Sequence, residues 1–326
     1  MSTYHLVDPE LRPMLKQLSH PPLNAAILPS MREERMAMAL ENAARDDGLA
    51  LSVTEHHLAG HDGARPVRVL IIAPRVGHKN RMGILHIHGG GYIMGSPEQS
   101  LPLTRPTAAG QDCVIVSVDY RLAPETSFPG PLDDCFAALV WMTAQAHELG
   151  IDPQHIGVMG DSAGAGLAAG LALLTRDRGG PTLAFQNLMY PMLDDRTVIE
   201  TDPNPVTGEF IWTRESNRFG WRSFLGAEPG SEGISIYAAA ARATNLSGLP
   251  PVWIGVGTLD LFLDENLDYT RRLIRAGVPV ELIIYPGGFH GFNGDPNAQL
   301  ARRAREDRQR SLSHFNPPGI PEGSRN

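Results

Sequence analysis

The serine with the most informative surroundings is Ser162, which lies between Gly160 and Gly164 in the pattern Gly-x-Ser-x-Gly. An apolar run precedes the pattern and a helical pattern follows it, so we expect the serine on a sharp turn from a strand into a helix. Such a turn strains the backbone and crowds the residues two positions away, where glycine avoids the clash. The amides that begin the helix would face a negative charge forming above the turn. The pattern therefore predicts a nucleophilic serine.

A second glycine motif follows an earlier apolar run, where His88 precedes Gly89, Gly90 and Gly91. Consecutive glycines let the backbone approach a ligand closely and direct N–H groups at it. Acyl transfer requires such donors, because negative charge grows on the carbonyl oxygen in the transition state. The amide after the serine, that of Ala163, is expected to supply another donor. We interpret His88 as a structural hydrogen-bonding residue, because the serine motif lies far downstream.

A serine hydroxyl is a weak nucleophile unless a base removes its proton, and that base is usually an imidazole held in one tautomer by a carboxylate. For serine turns of this kind the chain order is serine, acid, histidine. Downstream of the acid region only His290 and His314 remain. His290 lies in a glycine loop after an apolar run, whereas His314 lies in a polar terminal helical pattern. His290 is therefore the predicted base.

The carboxylate should follow a strand between the serine and the histidine. Asp260 comes shortly after the apolar run Val252–Val256, whereas Asp264 and Glu265 resemble capping acids of the next helix. Asp260 is the favoured acid, and Asp264 remains an alternative. Asp161 adjoins the serine and is interpreted as structural.

Neither a cofactor nor a metal is predicted. Residues 164–169 also match the dinucleotide pattern G-x-G-x-x-A, but no acid ends the next apolar run, 185–190, to hold a ribose. Those glycines also fall inside a helical pattern rather than in the turn before it. Cys113 and Cys135 have apolar neighbours and no second cysteine or histidine at metal spacing, so we expect two buried thiols.

The elements that must position these residues alternate between apolar strand-length runs and amphipathic helical patterns. The predicted strands are Val67–Pro74, Gly83–Ile87, Cys113–Val118, Ile156–Met159, Phe185–Tyr190, Val252–Val256 and Val280–Tyr285. The predicted helices between and after them are Leu132–Leu149, Gly164–Arg176, Asp264–Ala276 and Ala298–His314. Strands that are apolar throughout are covered on both faces, and the alternation predicts an α/β fold with a mostly parallel, doubly wound sheet.

Two segments interrupt this alternation. Residues 1–45 contain a helical pattern, Ser30–Arg45, before any predicted strand, and residues 194–235 lie between two strands. The second segment carries aromatic residues at helical spacing, which are usually core but could also line a pocket: Phe210, Trp212, Phe219, Trp221 and Phe224. We expect both segments to form a cap over the carboxyl edge of the sheet. The core is then divided into residues 46–193 and 236–326.

Composition narrows the functional classes. The 326 residues carry a net charge of −8 with acids and bases interspersed, which does not indicate a basic surface for nucleic acid. Apolar runs are too short for a membrane span, and the first thirty residues lack the apolar stretch of a signal peptide, which favours a cytoplasmic protein. The last strand and the terminal helix are candidate surfaces for a homodimer.

Five motifs in order resemble the hormone-sensitive-lipase-like family, the bacterial family IV esterases, in its GDSAG branch. They are His88-Gly-Gly-Gly91, Asp119-Tyr-Arg-Leu-Ala-Pro-Glu125, Phe128-Pro-Gly-Pro-Leu-Asp-Asp134, Gly160-Asp-Ser-Ala-Gly164 and Gly288-Phe-His-Gly-Phe292. The resemblance implies an α/β-hydrolase fold with an eight-stranded core and a helical cap. It also implies cofactor-free hydrolysis of a small-molecule ester, with the amides of Gly90, Gly91 and Ala163 as the oxyanion hole.

The expected function is hydrolysis of short- to medium-chain acyl esters through Ser162, His290 and Asp260, with an acyl-enzyme intermediate. One departure from the family is Leu261-Phe262, where many relatives have Pro-Leu after the catalytic aspartate; we interpret it as a local variation. An amidase or peptidase would use the same residues, and a long-chain lipase is a further alternative. A non-catalytic small-ligand receptor is less consistent with the chain, because receptors of this fold have lost the histidine.

Overall fold

The computed structural model describes residues 2–17, 21–44, 47–59, 66–76 and 79–316. Its central feature is an eight-stranded sheet with the strand order β1-β2-β4-β3-β5-β6-β7-β8. The strands are β1 Leu51–Leu58, β2 Val67–Pro74, β3 Arg81–Ile87, β4 Val114–Asp119, β5 Ile151–Asp161, β6 Gln186–Met189, β7 Val252–Gly257 and β8 Val280–Tyr285. Strand β2 runs antiparallel to both β1 and β4, and the remaining neighbours are parallel. The predicted α/β architecture with a mostly parallel sheet is confirmed.

Strand β1 is absent from the seven strands predicted by the apolar runs, although the family resemblance implies eight. Strand β1 lies at the edge of the sheet, and only its two ends, Leu51 and Leu58, are buried. Its intervening residues are polar or exposed, including Val53, so the sequence contains no apolar run there. An edge strand with one neighbour is held by backbone pairing, which leaves no signal in the side chains.

The helices flank the sheet and connect its strands. They are α1 Arg12–Gln17, α2 Leu28–Ala43, α3 Leu101–Gln111, α4 Gly130–Ala144, α5 Ala163–Arg178, α6 Arg214–Leu225, α7 Leu263–Arg275 and α8 Gln299–Ser313. Helix α3 was not predicted because it contains two prolines. Pro102 lies in the first turn, where no backbone donor is needed, but Pro106 lies in the helix interior, where proline is normally unfavourable.

The core consists of apolar layers on both faces of the sheet. Alternate residues of β4 point to opposite faces: Val116 packs in the cluster that includes residues of α4, α5 and α7, and Ile115 packs in the cluster that includes residues of α3 and α8. All seven residues of β3 are buried, and so are the first thirteen residues of α5. The strand ends that carry the candidate residues are therefore held between two packed layers.

The N-terminal segment and the segment between β6 and β7 contact each other directly. The backbone amide of Leu23 donates to Oγ of Ser216 on α6, with a length of 3.0 Å. The carboxylate of Glu209 accepts 2.5 Å bonds from the hydroxyl of Ser2 and from the amide and hydroxyl of Thr3. Within the described ranges, no helix combines the length and apolar character needed to cross a bilayer.

Candidate active site

Ser162 lies on the turn between β5 and α5 with φ 56° and ψ −122°, a combination that is strained for any residue but glycine. The two glycines of the motif are required sterically. A Cβ at Gly160 would lie 2.5 Å from the carbonyl carbon of Gly164, and a Cβ at Gly164 would lie 2.1 Å from the carbonyl oxygen of Ile87. The amide of Ser162 donates to the carbonyl of Met189 at 2.9 Å. The turn is thus fixed against β3 and β6, the two neighbours of β5.

The side chains of Ser162, His290 and Asp260 form a hydrogen-bonded series. Nε2 of His290 lies 2.9 Å from Oγ of Ser162, and Nδ1 lies 2.9 Å from Oδ2 of Asp260. All three are buried, the aspartate completely. The other oxygen, Oδ1 of Asp260, accepts a 2.9 Å bond from the amide of Phe262. Two bonds therefore fix the carboxylate, and through it the orientation of the imidazole.

The competing candidates for base and acid do not take part in this series. His314 follows the last residue of α8. Asp264 is exposed in the first turn of α7, and its carboxylate accepts a 3.3 Å bond from the side chain of Asn204. Glu265 is buried, but it accepts bonds from the amides of Leu193 and Asp194 instead.

Aromatic rings surround the imidazole of His290. Tyr190 and Phe262 lie with ring centroids 4.6 Å and 5.2 Å away, and Phe262 stands perpendicular to it. The hydroxyl of Tyr190 donates to Oδ1 of Asn293 at 2.5 Å, and Trp212 lies 6.2 Å from the imidazole. Sequence reasoning missed Tyr190 and Asn293. The weak signals are that the tyrosine ends an apolar run and that the asparagine follows the histidine by three positions.

The glycine loop after β3 lies against the serine turn. A Cβ at Gly89 would lie 2.8 Å from the carbonyl oxygen of Asp161 and 3.5 Å from Cβ of Ser162. Gly90 and Gly91 have φ values of +119° and +62°, which glycine adopts without strain. For the part of the chain that the structure describes, the amides of Gly90, Gly91 and Ala163 have no hydrogen-bond acceptor. These N–H groups remain available to a negatively charged oxygen.

His88 supports this loop from inside the protein. Its ring stacks on that of Tyr120 with centroids 4.2 Å apart, and the Tyr120 hydroxyl donates to the His88 carbonyl at 2.9 Å. Burial lowers the pKa of His88, so the imidazole is neutral and Nδ1 can donate to the carbonyl of Gly89 at 2.8 Å. These contacts join His88 to the backbone of the glycine loop and to Tyr120. Asp161 forms an ion pair with Arg308 of α8, which the sequence did not indicate.

A cavity of about 1070 Å³ opens over the serine. Its walls come from the N-terminal segment, the glycine loop, the segment between β6 and β7, and the loop that carries His290. Four of the five aromatic residues in the stripe of residues 210–224 fall into two groups. Phe210 and Trp212 line the cavity, whereas Trp221 and Phe224 are buried against the ring of Tyr92. The ring of Trp212 covers Gly91, since a Cβ there would lie 2.1 Å from the indole.

The described residues contain no group of three or more histidine, cysteine or carboxylate side chains that could hold a metal ion. Cys113 and Cys135 are buried, free thiols, as predicted. The segment that matches the dinucleotide pattern, residues 164–169, lies within α5. Its glycines pack closely: a Cβ at Gly166 would lie 2.2 Å from the carbonyl oxygen of Met192.

The sequence is similar to a family of α/β-hydrolases and to characterised esterases. A family model described as the alpha/beta hydrolase fold matches residues 84–294. The carboxylesterase NlhH of Mycobacterium tuberculosis is 36% identical over 238 residues, which are 73% of this chain and 75% of NlhH. An arylesterase of Saccharolobus solfataricus is 32% identical over 225 residues, 65% of this chain and 69% of that enzyme.

Solved structures extend the similarity over almost the whole chain. A bacterial heroin esterase superimposes with a TM-score of 0.91 at 38% identity, and the match covers 97% of this chain and 100% of that one. The esterase LipW from Mycobacterium marinum superimposes with a TM-score of 0.84 at 32% identity, covering 96% of each chain.

Proposed function

Because this chain belongs to the α/β-hydrolase family, within its hormone-sensitive-lipase-like group, we propose that it is a carboxylesterase acting on short- to medium-chain acyl esters. The observation that carries the proposal is the 2.9 Å contact between Oγ of Ser162 and Nε2 of His290. The contact lies at a large cavity and near three amides that have no acceptor among the described residues. A nucleophile, a base and anion-binding donors are the parts that ester hydrolysis requires.

In the first half of the proposed reaction, Oγ of Ser162 attacks the ester carbonyl while Nε2 of His290 takes the hydroxyl proton. Asp260 accepts a hydrogen bond from Nδ1–H, which holds the productive tautomer and stabilises the imidazolium. The amides of the glycine loop and of Ala163 stabilise the oxyanion. Collapse of the tetrahedral intermediate breaks the bond to the alkoxy oxygen, and the imidazolium protonates the leaving alcohol.

In the second half, a water molecule replaces the alcohol beside His290. The imidazole takes one proton from the water, whose oxygen attacks the carbonyl of the acyl-enzyme. The same amides stabilise the second oxyanion. Its collapse releases the carboxylic acid and returns the proton to Oγ of Ser162, so that the enzyme is regenerated without a cofactor.

We also propose that residues 1–45 and 194–235 together form the cap that bounds the substrate cavity. The bonds from Leu23 to Ser216 and from Thr3 to Glu209 support a single unit, because they join the two segments directly. Glu209 itself lines the cavity. On this interpretation the cap shapes the substrate site, and the core supplies the reacting groups.

The test uses Ser162→Ala, with Ser247→Ala in an exposed loop as the matched control. With 4-nitrophenyl butyrate as substrate, Ser162→Ala should lose at least about 1000-fold in kcat, because the residual rate comes only from binding and the oxyanion donors. A fluorophosphonate should label wild type and the control, but not Ser162→Ala. Full turnover by Ser162→Ala would refute the proposal. If wild type cleaved the 4-nitroanilide of butyric acid faster than 4-nitrophenyl butyrate, the result would favour an amidase.

A further inference from the structure

The balance of positive and negative side chains around the substrate cavity is the reverse of that in the whole chain. The chain has a net charge of −8, yet three cationic side chains line the cavity: Lys16, Arg35 and Arg305. Two acidic side chains, Asp161 and Glu209, also line it. Whether the cavity attracts anions therefore depends on which of these charges already have partners within the protein.

Both acidic side chains are engaged by protein groups. Asp161 pairs with the guanidinium of Arg308 at 2.8 Å. Glu209 accepts three hydrogen bonds from the N-terminal residues Ser2 and Thr3. Burial alone would raise the pKa of Glu209, but these bonds outweigh it and lower the pKa. The carboxylate therefore stays ionised and bonded to the N-terminal segment.

None of the three cationic side chains forms an ion pair with a described residue, so their positive charges exceed the one negative charge of Glu209, whose hydrogen bonds come from neutral groups. Among the described residues, no carboxylate oxygen lies within 4.0 Å of the charged nitrogens of Lys16, Arg35 or Arg305. Arg305 donates to the backbone carbonyls of Asn293 and Asp295 at 2.6 Å and 2.7 Å, and these acceptors carry no formal charge. The positive charges facing the cavity are therefore available to a bound anion.

Arg35 gives the clearest evidence for an anion site, because its hydrogen-bond partners differ from those of its neighbour Arg32 on α2. Arg32 donates to both oxygens of Glu125 and to the carbonyl of Ile93, and so fastens α2 to the core. Arg35 follows Met31 by one helical turn, and both line the cavity. Arg35 is half-buried, and burial lowers its pKa, with no carboxylate of the described residues close enough to offset the shift. A desolvated guanidinium without a counter-charge is costly unless a ligand supplies one.

We infer that the preferred substrates are esters with a second, anionic group, a carboxylate remote from the scissile bond, and that Arg35 binds this carboxylate. The inference rests on the proposed esterase function and specifies its substrate class. A guanidinium matches a carboxylate with two parallel N–H···O bonds, and Lys16 and Arg305 add positive potential in the same cavity. The three residues that carry the chemistry are unaffected by this assignment.

The experiment compares two pairs of substrates that differ in the remote charge. The mono-4-nitrophenyl ester of adipic acid against 4-nitrophenyl heptanoate places the charge on the acyl side. 4-Acetoxybenzoate against 4-acetoxybenzamide places it on the alcohol side. Each pair is measured with wild type, with Arg35→Gln, and with Arg271→Gln, which removes an exposed arginine of α7. The quantity of interest is the ratio of kcat/KM for the charged ester to that for the neutral one.

For at least one pair, wild type should favour the charged ester, and the preference should weaken as salt is added, because screening reduces the attraction. Arg35→Gln should lower the ratio by about 10- to 100-fold, the usual effect of losing a hydrogen-bonded charge, while Arg271→Gln keeps it. Turnover of the neutral esters with no charge preference, or an unchanged ratio in Arg35→Gln, would overturn the inference and leave the esterase proposal standing. Failure of wild type to hydrolyse any of the four esters would overturn both.

Discussion

The guanidinium of Arg308 donates a 2.8 Å bond to the carboxylate of Asp161, the residue directly before Ser162. A second donor of Arg308 bonds the carbonyl of Gly160 at 3.0 Å, and a third bonds the side chain of Asn187 at 2.6 Å. The arginine is only 1% exposed. Helix α8 thus holds both residues that precede the serine, and a strained turn persists only where its surroundings hold it in this way.

Replacing this arginine should destabilise the protein. Arg308→Met removes all three bonds and leaves the mostly buried Asp161 carboxylate without its counter-charge, so the free energy of unfolding should fall by about 3 kcal/mol or more. Urea denaturation measures the change. The control is Arg310→Gln, two positions later, whose side chain is 53% exposed and should cost less than about 1 kcal/mol. Equal losses in the two variants would contradict the role assigned to Arg308.

Features that depend on residues close together in the chain could be predicted from the sequence. The turn at Ser162 and the loop before Tyr92 need glycine for steric reasons, so they leave short patterns in the chain. Interior strands are apolar because both their faces are covered, and one of them, β2, has the predicted bounds Val67–Pro74. The edge strand β8 also has its predicted bounds, Val280–Tyr285, although it is only partly buried. Such features depend on the residues nearby, which is why they are visible without the structure.

Features that depend on partners far away in the chain could not be predicted from the sequence. Arg308 lies in a helix that looks polar and solvated, and its burial follows from a partner 147 positions earlier. The bond between Tyr190 and Asn293 likewise joins segments 103 positions apart. Strand β5 begins at Ile151 rather than at the predicted Ile156, because residues 152–155 are polar or proline and form an irregular stretch, where the pairing with β3 passes from Ile151 to Ile156. These elements are set by the assembled sheet rather than by their own composition.

The choice between the two candidate acids leads to a kinetic prediction. Asp260→Asn would present an amide donor to Nδ1 of His290 and favour the tautomer with a proton facing Ser162. We expect kcat for 4-nitrophenyl butyrate to fall by about 1000- to 10,000-fold. Asp264→Asn is the matched control: its carboxylate is exposed, so activity should stay within about a factor of two. The reverse result would make Asp264 the orienting acid.

The serine turn also makes a steric prediction. Gly164→Ala would place a methyl group 2.1 Å and 2.4 Å from the carbonyl oxygens of Ile87 and His88, so β3 and the glycine loop would have to shift. We expect a loss of about 3 kcal/mol or more in thermal unfolding, together with loss of fluorophosphonate labelling. Gly110→Ala in α3 is the control, because its methyl group would meet only Gln309, at 3.9 Å, and should be neutral or slightly stabilising. Similar stabilities for the two variants would show that the turn has room for a side chain.

A partly buried ion pair between Arg68 and Glu98 makes stability depend on pH. Glu98 is 8% exposed and accepts a hydrogen bond from Arg68 of β2, which also bonds Glu55 and Asp119. Burial alone would raise the pKa of Glu98, but the bonds and charge of Arg68 outweigh it and hold the pKa below its usual range. The folded protein therefore binds this proton more weakly than the unfolded chain does. The ion pair contributes its full stability above the pKa of an unfolded glutamate, about 4.3.

That contribution should disappear as the pH falls through the lowered pKa of Glu98. We expect Glu98→Gln to reduce the free energy of unfolding at pH 7 by about 1 kcal/mol, because a neutral amide bonds Arg68 less strongly than a carboxylate does. The difference from wild type should shrink steadily between about pH 5 and pH 3, where the wild-type carboxyl becomes protonated. Urea denaturation at a series of pH values measures it, with Glu232→Gln at an exposed position as the control. A difference that stays constant down to pH 3 would mean that Glu98 contributes through packing rather than through its charge.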